Sequence, residues 1–275
     1  MNILNIRERV RKREIGVDRE RKIALECLRT LTTAIKNRNF EKMKEDIIFG
    51  LISIDPGNPL IFNFAKKVLK AETREKARKI AEEAIEYIEQ APKKIARHWP
   101  RVLRDNSTVL VHSYSLNVKE MLLEASKKIE LEVYVTCGSP AEAGRIMARE
   151  ICKDVNVTLI PDTAANYVMP EIDVVLVGGF AVTKFGLIGS VGTSMIVLSA
   201  KWNRIPVYAL VEIMKASERI IVREMELRDV PPGVGARCPA YDLTRHELIT
   251  GYVCEEGIIK PERFYPFATS LVERW

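Results

Sequence analysis

Thr108-Val-Leu-Val111, followed one helix length later by Leu131-Glu-Val-Tyr-Val135, decides the fold of this 275-residue chain. Both are short runs rich in Val and Leu, and between them Ser115 to Lys128 repeats apolar residues at three- and four-residue spacing. A buried strand, a helix and a second buried strand make a βαβ unit, whose strands run parallel. The texture recurs at Val155 to Ile160, Asp173 to Val177, Pro206 to Val211 and Leu248 to Val253, with helices expected over Pro140 to Cys152 and Gly192 to Asn203. Pro140 suits a first helical position, where a missing N–H costs nothing. The stretch from 101 to 275 is therefore read as a parallel sheet buried on both faces.

Upstream the pattern is helical. Ala24, Cys27, Leu28, Leu31 and Ile35 form one stripe between Asp18 and Asn37, and Ala77, Ile80, Ala81, Ala84 and Ile88 form another between Ala71 and Gln90. On the second helix Glu72 to Lys76 and Glu75 to Lys79 are ion pairs in the favourable i,i+4 order. Between the stripes, Asp55-Pro-Gly-Asn-Pro59 predicts a loop that opens a further helix near Leu60. The fold class expected is α/β, with a helical N-terminal domain at 1–100 and a Rossmann-like parallel-sheet domain at 101–275.

Residues 1–100 hold 23 Lys and Arg against 15 Asp and Glu, a net +8, whereas the remainder holds 20 against 22. The densest stretch, Arg7 to Lys22, mixes both signs and reads as a solvated helix face, with RNA or an acidic partner as the alternative use. No apolar run reaches the roughly 18 residues a membrane span needs, and the start Met-Asn-Ile-Leu-Asn-Ile-Arg lacks signal-peptide order, so a cytoplasmic protein is expected. Five cysteines without a C-x-x-C pair and three scattered histidines predict no metal site. A single glutamine beside abundant Lys, Arg and Glu is a thermophile-like bias.

In open parallel sheets ligands bind beyond the carboxyl ends of strands, so the informative residues follow each run. They are Ser113 after the first, Cys137, Gly138 and Ser139 after the second, Asp162 after the third, and Gly178, Gly189, Gly192 and Thr193 after the fourth. Gly186, Gly189 and Gly192 could let backbone N–H groups approach a phosphate at the helix beginning near Thr193. The spacing matches neither G-x-G-x-x-G nor the P-loop, so turn geometry alone is the competing explanation. Ser113 beside His112 has no G-x-S-x-G elbow, which argues against a hydrolase, and Ser115 reads as a helix N-cap. Cys137 reads as a small buried residue or a helix-terminus thiol, and Asp162 as a cap for the helix after it or a ligand for a hydroxyl.

Val109-Leu-Val-His-Ser-Tyr-Ser115, Val133-Tyr-Val-Thr136 with Pro140 and Gly144, Asp162-Thr-Ala-Ala165, Asp173-Val-Val-Leu-Val-Gly178, Gly192-Thr193 with Ala200-Lys201, and Tyr241-Asp-Leu-Thr244 to Glu256-Gly-Ile-Ile259 resemble, in order and spacing, the shared blocks of the initiation factor 2B regulatory subunits and the related sugar-phosphate isomerases. The resemblance implies a helical domain followed by a Rossmann-like one, and a homodimer through the latter. It also implies one of two activities. Isomerases acting on methylthioribose 1-phosphate or ribose 1,5-bisphosphate carry a Cys where this chain has Ser113, and an Asp in a V-G-A-D block that here reads Val177-Gly-Gly-Phe180. Their E-[ST]-R-P and N-K-[IV]-G-T blocks read Cys137-Gly-Ser-Pro140 and Gly189-Ser-Val-Gly-Thr193, losing an Arg and a Lys.

Moving a proton between adjacent carbons of a sugar needs an acid/base pair, and neither Ser113 nor Phe180 supplies one. The His112-Ser-Tyr-Ser115 block is most similar to that of the alpha regulatory subunit. The resemblance thus implies a non-catalytic, alpha-like subunit with initiation factor 2 as partner and no cofactor. A sugar phosphate or nucleoside monophosphate could occupy the candidate pocket formed by Ser113, Cys137, Gly138, Ser139, Asp162, Gly178, Gly189, Gly192 and Thr193. An isomerase, and a phosphate-ligand sensor with no initiation-factor partner, are the alternatives. Phe264, Tyr265, Phe267 and Trp275 serve in this reading either as docking side chains or as core.

Overall fold

The computed structural model describes residues 8, 18–37, 39–219, 223–227 and 229–275, so most of the Arg7–Lys22 charge run lies outside the described residues. Two compact units part between Ala91 and Pro92. The first is helical: α1 (Arg19–Ile35), α2 (Phe40–Ile52), α3 (Pro59–Lys70) and α4 (Arg74–Ala96), with the division falling inside α4. The α1 stripe is buried as its spacing predicts. Asn58 caps α3: its side-chain oxygen accepts from the Leu60 N–H at 3.2 Å, with Pro59 in the first turn. Burial beside Asp55 pushes the Cys27 thiol up to about 12, so it behaves as an inert apolar group.

Two expectations about α4 change. The helix runs through Pro92 to Ala96 instead of stopping at Gln90, and Ile95 and Ala96, which belong to the second unit, are part of its core. Of the predicted pairs Glu72–Lys76 forms, at 3.7 Å, while Lys79 lies 3.7 Å from Glu83. All four side chains are exposed, where such contacts contribute little.

The second unit is built on a seven-stranded sheet. Its strands are β1 (Ser107–His112), β2 (Leu131–Thr136), β3 (Asn156–Ile160), β4 (Val174–Gly178), β7 (Val207–Leu210), β9 (Gly251–Cys254) and β10 (Gly257–Ile259). Across the sheet the order is β3-β2-β1-β4-β7-β9-β10, with only β10 antiparallel. This is the doubly wound order: the chain leaves β1 on one side, through β2 and β3, and returns on the other side at β4. The carboxyl ends of β1 and β4 therefore flank the switch point.

Alternation along the apolar runs sorts side chains between two cores. Val109, Val111, Val133, Val135, Val174 and Leu176 pack with Val118, Met121 and Leu122 of α5 (Leu116–Ser126) and with Met147 and Ile151 of α6 (Ala143–Ile151). Leu110, Val175, Val177 and Ala209 pack on the opposite face. Their partners are α7 (Ala165–Val168), Ile196, Val197 and Ala200 of α8 (Thr193–Trp202), and Phe264 and Ala268 of α9 (Pro261–Arg274). Phe264 is core, its ring stacked 4.5 Å from Tyr252, which removes it from the docking role, and the partly buried Phe267 packs beside that core.

Burial on both faces fails at β3, an edge strand on which Asn156, Thr158 and Leu159 are exposed. The helix expected from Pro140 begins at Ala143, after a cis Ser139–Pro140 bond. The run expected at Leu248 to Val253 divides into a 3₁₀ turn, His246–Leu248, and β9. A second sheet was not expected at all: β5 (Ala181–Thr183), β6 (Gly186–Ser190) and β8 (Tyr241–Arg245), antiparallel in the order β5-β6-β8.

Candidate functional site

Ser113 leaves β1 with φ of 61°, in the left-handed region, and that turn sets its buried side chain against the loop after β2. A Cβ on Gly138 would lie 3.0 Å from Ser113 Cα and 3.1 Å from its Oγ, so only glycine allows the approach. Asp162 closes the same loop: its two oxygens accept the N–H groups of Gly138 at 2.8 Å and Ser139 at 2.7 Å. That replaces the capping role expected for Asp162. Cys137 is buried, its N–H donating to Ile160 O at 2.9 Å. On the other side of the switch point, a Cβ on Gly178 would meet Ser115 Oγ at 2.4 Å. Ser115 is the N-cap of α5, as predicted, accepting weakly from Val118 N–H at 3.4 Å.

His112 joins these loops, and sequence reasoning treated it only as a neighbour of Ser113. Its Nε2 lies 2.9 Å from Val191 O, and its Nδ1 lies 2.7 Å from Thr136 Oγ1. A carbonyl only accepts, so Nε2 carries the proton and Nδ1 accepts from the Thr136 hydroxyl. Burial holds the imidazole below its ordinary pKa, against the opposing pull of the Val191 carbonyl and of Asp162, whose Oδ1 lies 3.9 Å from Nδ1. The ring is neutral at neutral pH and fixed in one tautomer.

The glycine segment differs from its expected form. Gly186 and Gly189 belong to β6, and Thr193 Oγ1 turns back to donate to Ser190 O at 2.6 Å. Only Gly192 is a loop glycine: it caps α8 with φ of 98°, and a Cβ there would lie 3.0 Å from His112 Cε1. Two of the donors that a phosphate there would use are taken by the chain itself. Asp242 on β8 accepts the N–H groups of Gly192 at 2.8 Å and Ser194 at 3.1 Å. Burial pushes its carboxyl pKa up while those two bonds pull it down. A carboxylate at a helix N-terminus is held by the same N–H groups and dipole that favour an external anion.

This arrangement has a measurable signature. Asp242→Ala is expected to lower stability by about 1.5–3 kcal/mol, the range for hydrogen bonds to charged groups. Phosphate should then raise the melting temperature of the variant and leave the wild type unchanged. Equal phosphate responses in a thermal-shift titration would show that the two N–H groups are not the limiting donors.

A further polar cluster lies beside the switch point. Glu212 and Lys215, both buried, pair at 3.1 Å in the segment after β7. Lys215 Nζ donates to Gly179 O at 2.9 Å, and Asn117 Nδ2 donates to Glu212 at 3.0 Å. Together they fasten the ends of β4 and β7 to the start of α5. Phe180, next in the chain, is buried and stacks on Tyr241 at 4.5 Å with an interplanar angle of 24°. Among the described residues no three His, Cys, Asp or Glu side chains are grouped to hold a metal ion, and no helix is long and apolar enough to cross a membrane.

Residues 16–261 match the Initiation factor 2 subunit family. The chain is 29% identical to ribose 1,5-bisphosphate isomerase of Archaeoglobus fulgidus, over 96% of this chain and 91% of that one. It is 34% identical to translation initiation factor eIF2B subunit alpha of Caenorhabditis elegans, over 56% of this chain and 54% of that one. Among solved structures, the translation initiation factor eIF-2B of Pyrococcus horikoshii OT3 superposes with a TM-score of 0.84 at 22% identity, covering 95% of this chain and 98% of that one. At that identity the likeness establishes the fold.

Proposed function

The chain belongs to the Initiation factor 2 subunit family, and from that premise we propose that it is a non-catalytic, alpha-like regulatory subunit whose partner is initiation factor 2. The observation that carries the reading is Phe180. Where the resemblance puts the isomerases' Asp, this chain has a buried ring stacked on Tyr241, which cannot exchange a proton. Where it puts their Cys, Ser113 stands against Gly138 with a hydroxyl too weakly acidic to act without an adjacent base.

A specific observation favours the isomerase alternative, namely the 29% identity to ribose 1,5-bisphosphate isomerase over nearly the whole chain. Each acid/base group contributes about 10²- to 10⁴-fold, so loss of both is expected to leave turnover about 10⁴- to 10⁸-fold below an intact pair. Two measurements decide. Calorimetric titration of purified initiation factor 2, in GDP and GTP states, is expected to give saturable binding. Ribose 1,5-bisphosphate is expected to remain unconverted. Turnover within about a hundredfold of an intact isomerase, with no factor binding, would replace this reading with the enzymatic one.

A further inference from the structure

The charges along α4 change character near its end. Up to Glu89 both signs are present and pairs form: Arg78 lies 3.8 Å from Glu82, Lys79 3.7 Å from Glu83, and Glu89 itself 2.9 Å from Arg29. Beyond Glu89 the pairing stops. Lys93, Lys94, Arg97, Arg101 and Arg104 follow with no Asp or Glu among them, and all five are exposed. No ion pair or side-chain hydrogen bond joins any of the five to another group among the described residues. The first acid after them, Asp105, accepts the Glu130 N–H at 2.9 Å.

These cations share one side of the chain. Past α4 the backbone keeps turning through the 3₁₀ segment Trp99–Arg101, with the Arg101 N–H donating to His98 O at 3.1 Å and the Leu103 N–H to Trp99 O at 2.8 Å. Lys93, Arg97 and Arg101 thus recur every fourth residue, about 6 Å apart along the axis, with Lys94 beside the first and Arg104 after the last. On the other side Ile95, Ala96 and Leu103 are core, and Trp99 and Val102 pack against it. Two cations in the last turn of α4 complement its dipole. Arg97, Arg101 and Arg104 lie beyond that turn, so the dipole does not account for them.

We infer that this stripe binds the phosphate backbone of RNA. A line of like charges repels itself until a linear polyanion lies along it, and release of that polyanion's condensed counterions drives the association. The forked guanidinium groups of Arg97, Arg101 and Arg104 suit phosphate oxygens. No Asn or Gln stands between Lys93 and Arg104 to read a base edge, and His98 is turned to Glu255 O at 3.3 Å, so binding is blind to sequence. A protein interface depletes lysine at its centre, and a helix lying on a membrane keeps its apolar side free, whereas here that side is core. RNA is the polyanion met by a member of an initiation-factor family. The inference rests on that membership and not on the alpha-like, non-catalytic reading.

The test is a titration of the full chain into a labelled RNA duplex of about 20 base pairs, read by fluorescence anisotropy from about 50 to 200 mM salt. Five phosphate contacts correspond to a log–log salt slope of about −4.5, so affinity is expected to fall about 500-fold across that range. Arg97→Gln with Arg101→Gln removes two contacts, and the slope is expected to become about −2.7, a fall of about 40-fold. Lys93→Gln with Lys94→Gln should do the same, and a duplex of unrelated sequence should bind the wild type equally well. All four side chains are exposed, so melting temperatures should match the wild type, and a folding defect in one pair leaves the other to decide. Absence of RNA binding at low salt, or a slope near zero, overturns the inference. So does a wild-type slope in both pairs, which would give the RNA to the Arg7–Lys22 run. Loss of initiation factor 2 binding in the variants of a protein that binds no RNA would assign the stripe to an acidic surface of that partner.

Discussion

Replacing His112 by Ala is expected to lower the free energy of unfolding by about 3–5 kcal/mol, through lost hydrogen bonds and the cavity left behind. The ring is buried, donates to Val191 O and accepts from Thr136, so its removal leaves a carbonyl and a hydroxyl without those partners beside the void. Thr136→Val removes only the second bond and should cost about 1–2 kcal/mol. The pH dependence separates this role from packing alone. Burial lowers the folded-state pKa, so below about 6.5 the unfolded chain takes up the proton first. His112's contribution is fully present above that pH and is lost as pH falls toward the folded value. Urea unfolding between pH 5 and 8 should therefore show a slope in the wild type that flattens in the variant. An unchanged slope would move the effect to another group.

Gly144→Ala should be comparably damaging, lowering the melting temperature by about 10 °C or more, which corresponds to roughly 4 kcal/mol for a domain of this size. An added Cβ would lie 1.8 Å from Thr136 O and 2.9 Å from the carbonyl carbon and oxygen of Cys137. Neither backbone can retreat. Thr136 is in register with both His112 and Ile160, and Cys137 O accepts the Gly144 N–H itself at 2.9 Å. The first turn of α6 would have to lift from the end of β2, taking Met147 and Ile151 from the core. Calorimetry of the purified variant reads this directly; a wild-type melting temperature would mean that α6 can shift without loss.

The main sheet was legible because its strands are continuous apolar runs separated by amphipathic helices. Burial on two faces imposes that pattern on any sequence. The second sheet was not legible. β5 is three residues long, β6 contains Gly186 and Gly189, and pairing with β8, which begins at Tyr241, holds them in place. Glycine is a poor strand former on its own, so local pattern pointed to a loop. The candidate site shows the same division. Ser113, Gly138, Asp162 and Gly192 were found because position after a strand is a local property. His112 and Asp242 were missed as its organisers because their partners are distant: Thr136 and Val191 stand 24 and 79 residues from His112, and Gly192 stands 50 from Asp242. The end of α4 was missed in the opposite sense, since the helix read as far as Gln90 continues through Pro92 to bury Ile95 and Ala96.

The strand order also bears on how the chain reaches this structure. Val109 pairs with Val133 on one side and with Val174 on the other, 24 and 65 residues away. Closing the longer loop costs about 0.9 kcal/mol more in chain entropy, and during synthesis β4 emerges well after β2. The β1–β2 seam is thus favoured to zip first, leaving the opposite edge of β1 open until β4 arrives. Because Ser113 ends one of those strands and Gly178 the other, the crevice comes into being in the same event that closes the sheet.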